Sequence, residues 1–498
     1  MEQELRTFFE EYKKINAAYA MAASTMYFDM ATIAPANGIP YRNDMFSILA
    51  GEAFAYQMNP ESLAKLEKLQ EITEDPELQA ELKLLFRLVN DTRKVPKEVF
   101  VKFRKTLADS EEAWQKAKNQ NDYSIFKDHL INVIKGQKEM LTYVDKDCSD
   151  YDYLLDQYQI GLSREKYDAF FQLIKDELIP LIKRIVKEGK HINQSPLLQQ
   201  FDLHEQEAFM QELQDYLQVN PKECYMGTTE HPFTDFFSAH EARITTHYYE
   251  HNVMSAILST VHEYGHALYS LQVNEAYDGT AFKDGIGCGM HESQSRLLEN
   301  HIGRNRAMWE VNYPKLQAHF PKQLADISLD QFMEMINIST PSLIRTEADE
   351  LTYPIHILIR YELEKEIFDG QVDYEHLDQM WNDKYEEYLG VRPDKDSEGI
   401  LQDMHWGAGN LGYFPTYALG SAYAAQFYHT MEQQIDVEEA LRTSHFEIIS
   451  NWLKENIHRY GARYTADEIL EKATGEPFNP RYYIDYLTTK FKAVYGLK

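Results

Sequence analysis

Cysteine is scarce in this chain: Cys148, Cys224 and Cys288 are the only three in 498 residues, far apart and odd in number. That pattern fits a reducing cytoplasm rather than a disulfide framework. Positive charge is also in short supply. Lys and Arg number 50 against 80 Asp and Glu, a net charge of -30, and such a field repels phosphate backbones and anionic lipid. Nucleic acid and membrane surfaces are therefore not expected partners. No run approaches the roughly eighteen apolar residues that cross a bilayer, and Met1 to Arg6 lacks the apolar core of a signal peptide. The protein is expected to stay where it is made, in the cytoplasm. Internal repeats and low-complexity tracts are missing too. So is any Gly-Lys-Ser/Thr or dinucleotide-type loop, which makes the glycine-rich stretch Asn274 to Met290 a connection rather than a phosphate cradle.

The apolar content is ample for a buried core, with 44 % hydrophobic and 13 % aromatic residues. The length allows two or three ordinary domains or one large helical domain with a cleft. Glu2 to Tyr56 reads as two helices around the break Ile33 to Pro40. Pro60 to Val144 reads as charged helices over an apolar stripe that includes Leu82, Leu85, Phe86 and Val89. Asp150 to Tyr158 resembles an irregular connection; helices are expected at Arg164 to Glu188 and Leu203 to Leu217, with a loop at Asn193 to Pro196. Strand-like composition then appears at Glu223 to Met226 and Ala242 to Tyr249, a small sheet whose edge could pair with an extended peptide. A helix starts near His291, and Leu329 to Lys498 is mainly helical with interruptions at Val391 to Asp396 and Gly407 to Pro415.

The most informative stretch is Ser255 to Gln272, which contains His262-Glu263-x-x-His266. Residues four apart on an α-helix are offset by about 40°, so two imidazoles can reach one metal ion with the carboxylate beside them. Met254, Ile257, Leu258, Val261, Leu268 and Leu271 form a helical apolar stripe, and Gly265 permits close backbone approach. With no cysteine nearby, three protein ligands and one open position are expected, the arrangement of a catalytic zinc site. Glu292 is the preferred third ligand. Glu299 is its fallback, or a partner orienting an imidazole; His247 and Asp284 are weaker alternatives. Zinc in such a site acidifies a water for which Glu263 is the base, and peptide hydrolysis follows. Candidates for the oxyanion donor lie in Gln402 to Trp406 and Tyr413 to Tyr417.

Six motifs together, His231-Pro232-Phe233, Glu241-Ala-Arg243-Ile-Thr245, the His262 helix, His291-Glu292-Ser-Gln294, Ile344-Arg345-Thr-Glu-Ala348-Asp349 and Gly399-Ile-Leu-Gln402-Asp403-Met-His405-Trp406, resemble the carboxypeptidase Taq family. Phe28-Asp29 with Pro35 and Arg42 resembles its N-terminal pattern, and Ala473 to Gly475 leading to Tyr495 to Leu497 its C-terminus. The resemblance implies one family-length domain over residues 1–498, with a helical part at about 1–200 covering the groove and 201–498 carrying the sheet, metal helix and binding motifs. It implies a mainly α, zincin-like fold with a deep groove and a small three-stranded sheet beside the metal. It further implies a homodimeric, metal-dependent carboxypeptidase that trims peptides from the C-terminus with broad specificity.

By the same likeness His262, His266 and Glu292 hold one zinc ion, with cobalt or manganese as substitutes, and Glu263 is the general base. Arg345 grips the terminal carboxylate, a role suited to a bidentate guanidinium, unless it pairs with Glu347 or Asp349. His405 and Tyr417 stabilise the oxyanion, with Tyr413 a close competitor, and Gln402 belongs to the substrate-binding set. His231 and Arg243 either line the cleft or brace the sheet. Two positions depart from the family pattern: Glu241 stands for Asp, and Phe28 for Trp. The competing functions are an endo-acting oligopeptidase of similar groove architecture and a non-catalytic helical protein whose metal site binds a partner.

Overall fold

The computed structural model describes residues 1–498, apart from the side chains of Leu88, Asp91 and Thr92. The chain is mainly helical with one small sheet. Two long helices open it, α1 (Glu2–Thr32) and α2 (Ile39–Gln57), joined at the expected break. The first half of α1 packs on the helices Pro60–Ile72 and Pro76–Arg93 through Phe9, Tyr12, Leu63, Leu66, Leu69, Leu82, Phe86 and Val89, a small core of its own. A second, continuous core runs from Ala113 to Tyr495. The last turns of α1 and most of α2 lie outside both; α2 reaches the small core at its end, where Tyr56 stacks on Tyr12 at 5.7 Å. α2 buries no residue, and an ion pair from Arg42 to Asp29 ties it to α1.

The sheet contains β1 (Cys224–Thr228), β2 (Thr234–Ser238) and β3 (Glu241–Thr246) in the order β1-β3-β2. β1 runs parallel to β3 and β2 antiparallel to it. The strand expected over Ala242 to Tyr249 is thus the middle one, with both backbone edges already paired. The free edge beside the His262 helix belongs to β2, which no alternation in Thr234-Asp-Phe-Phe-Ser announces. Phe28 docks α1 on the sheet, 6.1 Å edge-on from Tyr225 and 5.7 Å from Phe233.

Three helices build the centre. α3 (Val253–Leu271) starts where the Asn252 side chain accepts from the Ser255 amide, and its Ile257, Val261 and Leu268 are buried as their spacing requires. α4 (Gly287–Arg296) begins four residues before His291 and continues through a π turn, Leu297–Ile302. A later helix, α5 (Pro415–Gln434), covers α4 from the other side. Glycine permits both approaches: a Cβ on Gly265 of α3 would lie 2.5 Å from Ser295 Cα, and one on Gly420 of α5 would lie 2.6 Å from Glu292 Cβ. α4 is therefore clamped between two backbones, which fixes where Glu292 points.

Two expectations fail. Asp150–Tyr158 is a helix, not an irregular connection, because the Ser149 side chain caps it and Tyr151, Leu154 and Leu155 bury one face. The stretch between the helices Leu377–Leu389 and α5 contains no helix at all. Residues 397–406 do not separate two interruptions with a helical segment, because Asp403 and Trp406 are drawn inward to buried partners.

Gly420→Ala is expected to lower stability by about 1–3 kcal/mol, as overpacking does, and to weaken metal binding by displacing Glu292. Gly38→Ala, whose added Cβ meets nothing within 4 Å, is the control. Urea midpoints and zinc dialysis read both effects.

Candidate active site

α3 turns His262 and His266 to one side, and α4 brings Glu292 to meet them. Glu292 Oε2 lies 3.9 Å from His262 Nε2 and 3.8 Å from His266 Nε2. Among the described residues these three side chains form the one group with the donors and spacing for a metal ion, all ligand atoms lying within 4.8 Å of one another. The two separations from Glu292 are within about half an ångström of what bonds of 2.0–2.1 Å to one tetrahedral ion require, so the donor set fits a divalent metal.

Each imidazole is oriented from behind. Glu299 Oε2 lies 2.9 Å from His262 Nδ1, the partner role rather than the ligand role among the two considered for it. His266 Nδ1 faces His291 Nδ1 at 3.1 Å, and His291 Nε2 lies 2.7 Å from Asp284 Oδ1. With His266 Nε2 kept free for a metal, its Nδ1–H donates to His291, whose own Nε2–H donates to Asp284. Asp284 thus stands two residues removed from the ligand atoms. His247 is remote from them, its Nδ1 lying 2.9 Å from the Thr229 carbonyl.

The carboxylates are buried, and a single cation manages two of them. Arg296 donates from Nε to Glu292 Oε1 at 2.7 Å and from Nη1 to Glu299 Oε2 at 3.0 Å. Burial opposes charge on Glu299, but Arg296 and His262 hold its carboxyl well below the usual range. His266 is pushed well below the ordinary histidine value by burial and by the neighbouring His262, His291 and Arg296. It is therefore neutral, as a metal ligand must be. Glu263 stands apart. Burial pushes its carboxyl up, against the pull of His262 and of Thr234, whose hydroxyl donates to Glu263 Oε2 at 2.5 Å. Oε1 is left to take a proton.

A second cluster adjoins this one. Arg345 sits in a 3-10 turn, Arg345–Glu347, and donates from Nε and Nη2 to Asp403 Oδ1 at 3.1 and 2.9 Å and from Nη1 to the Tyr353 hydroxyl at 3.3 Å. Its partner is thus Asp403, not Glu347 or Asp349. Arg360 holds the other oxygen, Asp403 Oδ2, at 2.6 Å. Two guanidiniums share one carboxylate, so one positive charge stays unbalanced, and two of the five N–H donors of Arg345 remain free. The Gln402 amide is fully engaged: its oxygen accepts from the Arg345 amide and Arg360, and its NH2 group donates to the carbonyls of Leu343, Glu398 and Gly399. It braces Arg345 rather than offering a free contact. The Tyr353 ring also lies 4.4 Å from the Arg296 guanidinium, so the two clusters meet there.

His405 lies among Tyr413, Phe414 and Tyr417 at 5.5, 4.6 and 6.4 Å. Burial, with help from Arg345 and Arg360 and against Asp403, pushes it down to about 4. Tyr417 also lies 5.1 Å beneath Arg345 and 5.1 Å from Tyr413. Beneath this loop Glu364 accepts from the Trp406 indole at 2.7 Å, the Tyr151 hydroxyl at 2.8 Å and the Gly412 amide at 2.8 Å.

His231 is exposed in the bend before β2. Arg243 is bound by Glu241 Oε1 at 3.0 Å from Nε and lies over Phe237 at 4.3 Å and Phe28 at 5.3 Å. The longer acid still reaches it, and the contact braces α1 against the sheet. Thr234, Arg296, Tyr353 and Arg360 escaped the sequence reading. Only Arg296 left a signal there, four residues after Glu292 and three before Glu299.

Known proteins resemble this chain along nearly their whole length. The family profile described as carboxypeptidase Taq (M32) metallopeptidase matches residues 7–491. Carboxypeptidase 1 of Bacillus subtilis is 37 % identical over 495 residues, covering 99 % of each chain. Thermostable carboxypeptidase 1 of Pyrococcus furiosus is 34 % identical, covering 98 % of each. A solved structure of the Pyrococcus furiosus carboxypeptidase superposes with a TM-score of 0.94 at 34 % identity, covering 98 % of each chain. The M32 carboxypeptidase of Deinococcus radiodurans does so with 0.95 at 30 %, covering 99 % of this chain and 100 % of that one. Agreement from end to end, in sequence and in fold, places this chain in the carboxypeptidase Taq (M32) family of metallopeptidases, a metal-dependent carboxypeptidase that hydrolyses peptides.

Proposed function

We propose that the ion is zinc, held by His262, His266 and Glu292, with cobalt or manganese able to replace it, and that Glu263 is the general base. The observation that carries this reading is the isolation of Glu263 from the cation that neutralises Glu292 and Glu299. Its carboxyl is pushed up by burial, toward the range in which it can both take and return a proton. A divalent ion in this site would supply an acidified water and a Lewis acid for the scissile carbonyl. Glu263 takes the water's proton at Oε1 while Thr234 holds Oε2, and then delivers it to the leaving amine. His405, neutral above about pH 4, and Tyr417 donate to the oxyanion, with Tyr413 close enough to compete.

Arg345 binds the peptide's terminal carboxylate through its two free donors, supported by Asp403, Gln402 and Arg360. That anchor sets the exopeptidase register and distinguishes the reaction from endo-cleavage. His231 at the groove rim completes the substrate side, while Arg243, held by Glu241, braces the sheet. Broad specificity follows because the anchor engages only the backbone terminus. The whole chain acts as one domain, with residues 1–200 covering the groove. We assign it to the cytoplasm, where three dispersed cysteines stay reduced, and as a homodimer, on its resemblance to the family. Among the described residues no helix is long and apolar enough to cross a membrane.

Glu263→Gln should retain bound zinc by dialysis and lose about 10²–10⁴ in kcat; unaltered turnover would end the base assignment. Arg345→Ala should cost about 2–4 kcal/mol, roughly 30- to 800-fold in kcat/KM, on peptides with a free terminal carboxylate. Equal losses on amidated peptides would contradict its role. For His405→Ala a loss of about 10²–10³ in kcat is expected. The acid limb of the pH profile between pH 5 and 7 should keep its shape, since a group titrating near 4 contributes nothing there.

A further inference from the structure

A cavity of about 310 Å3 opens between α1, α2 and the edge strand β2, lined by Ser24, Tyr27, Phe46, Phe233, Thr234 and Asp235. One residue links it to the reacting groups: Thr234 lines the cavity and its hydroxyl donates to Glu263. Three aromatic rings face it, Tyr27 and Phe233 standing edge to face at 5.5 Å. Its one charged lining group is Asp235.

That carboxylate is half-buried and has no ion pair among the described residues, although two cations are near. Arg243, its cross-strand neighbour in register, is taken by Glu241, and Lys283 lies 5.5 Å over the Phe236 ring. Ser24 donates a hydrogen bond, yet burial still pushes the Asp235 carboxyl up. Aromatic faces around an undercompensated carboxylate are a receptor for an alkyl stem ending in a cation. The net charge of -30 favours the approach of cationic peptides.

The position relative to the metal site identifies which peptide residue reaches the cavity. Arg345 touches Tyr353, Tyr353 lies against Arg296, and Arg296 holds Glu292. On the other side of the ligand group, Glu263 is held by Thr234. Along this chain of contacts the metal ligands stand between the carboxylate anchor and the cavity. With the departing residue held at Arg345, the chain on the amino side of the scissile bond runs toward β2. We propose that this cavity receives the side chain of the residue immediately before the scissile bond, and that Asp235 makes it select lysine or arginine. This rests on the roles assigned above to Arg345 and Glu263.

The test uses the metal-loaded full-length protein and N-acetylated peptides Ala-Ala-Xaa-Leu, with Xaa lysine, leucine or glutamate, following released leucine. Wild type should show kcat/KM for lysine at least about fivefold above leucine, with glutamate lowest. Asp235→Asn should bring the lysine-to-leucine ratio to within about twofold of one. The ratio is taken within each preparation, so partial unfolding of the variant does not alter it. A wild-type ratio near one, or the same raised ratio in both proteins, overturns the proposal. So does a preference seen only with free amino termini, which would mark the cation as the peptide's own ammonium. A change confined to peptides with lysine at the C-terminus also overturns it, by placing the cavity on the leaving side. Absence of leucine release from every peptide would strike the roles of Arg345 and Glu263 first, and this assignment with them.

Discussion

The guanidinium of Arg296 is the contact on which this site depends. Two carboxylates, Glu292 and Glu299, are buried beside one another, and like charges so placed need a shared cation. Arg296 holds both. Glu292 then turns Oε2 toward the two histidines, and Glu299 turns its Oε2 toward His262 from behind. Its far face rests on Tyr353, which also receives Arg345. One side chain therefore links the groups that would hold the metal to the group that would hold the peptide terminus. The clamp of α4 between Gly265 and Gly420 supplies the rigidity such an arrangement needs.

The Arg345 cluster obeys the same logic with the sign reversed. Two arginines converge on Asp403, burial opposes its charge, and they nonetheless hold its carboxyl far below the usual range. The surplus positive charge is a standing demand for an anion. A peptide's terminal carboxylate meets that demand; an internal peptide bond does not.

Much of this was legible in the chain itself. The His262 helix could be read because metal ligation and apolar packing both follow the helical period, and Glu292 and Glu299 because they are seven residues apart on the helix that follows. The rest was hidden for physical reasons. Thr234 reaches Glu263 from 29 residues away, across an edge strand whose composition carries no alternation. Asp403 and Trp406 lie in a stretch that passes for helix until their buried partners, Arg345, Arg360 and Glu364, are in view. The Asp150–Tyr158 helix is too short and too acidic to show a stripe, and is legible only through its Ser149 cap. Motif resemblance named Arg345 as an anchor, but nothing local revealed that its partner would be Asp403 rather than Glu347 or Asp349.

A carboxylate anchor beside a metal site sets the register of cleavage in the mechanism proposed above. Mass spectrometry of one peptide, digested by the zinc-loaded protein in its free-acid and C-terminally amidated forms, tests it most directly. The free acid should give a ladder of successive C-terminal truncations and the amide almost none. Internal fragments, or an equal ladder from both forms, would contradict it.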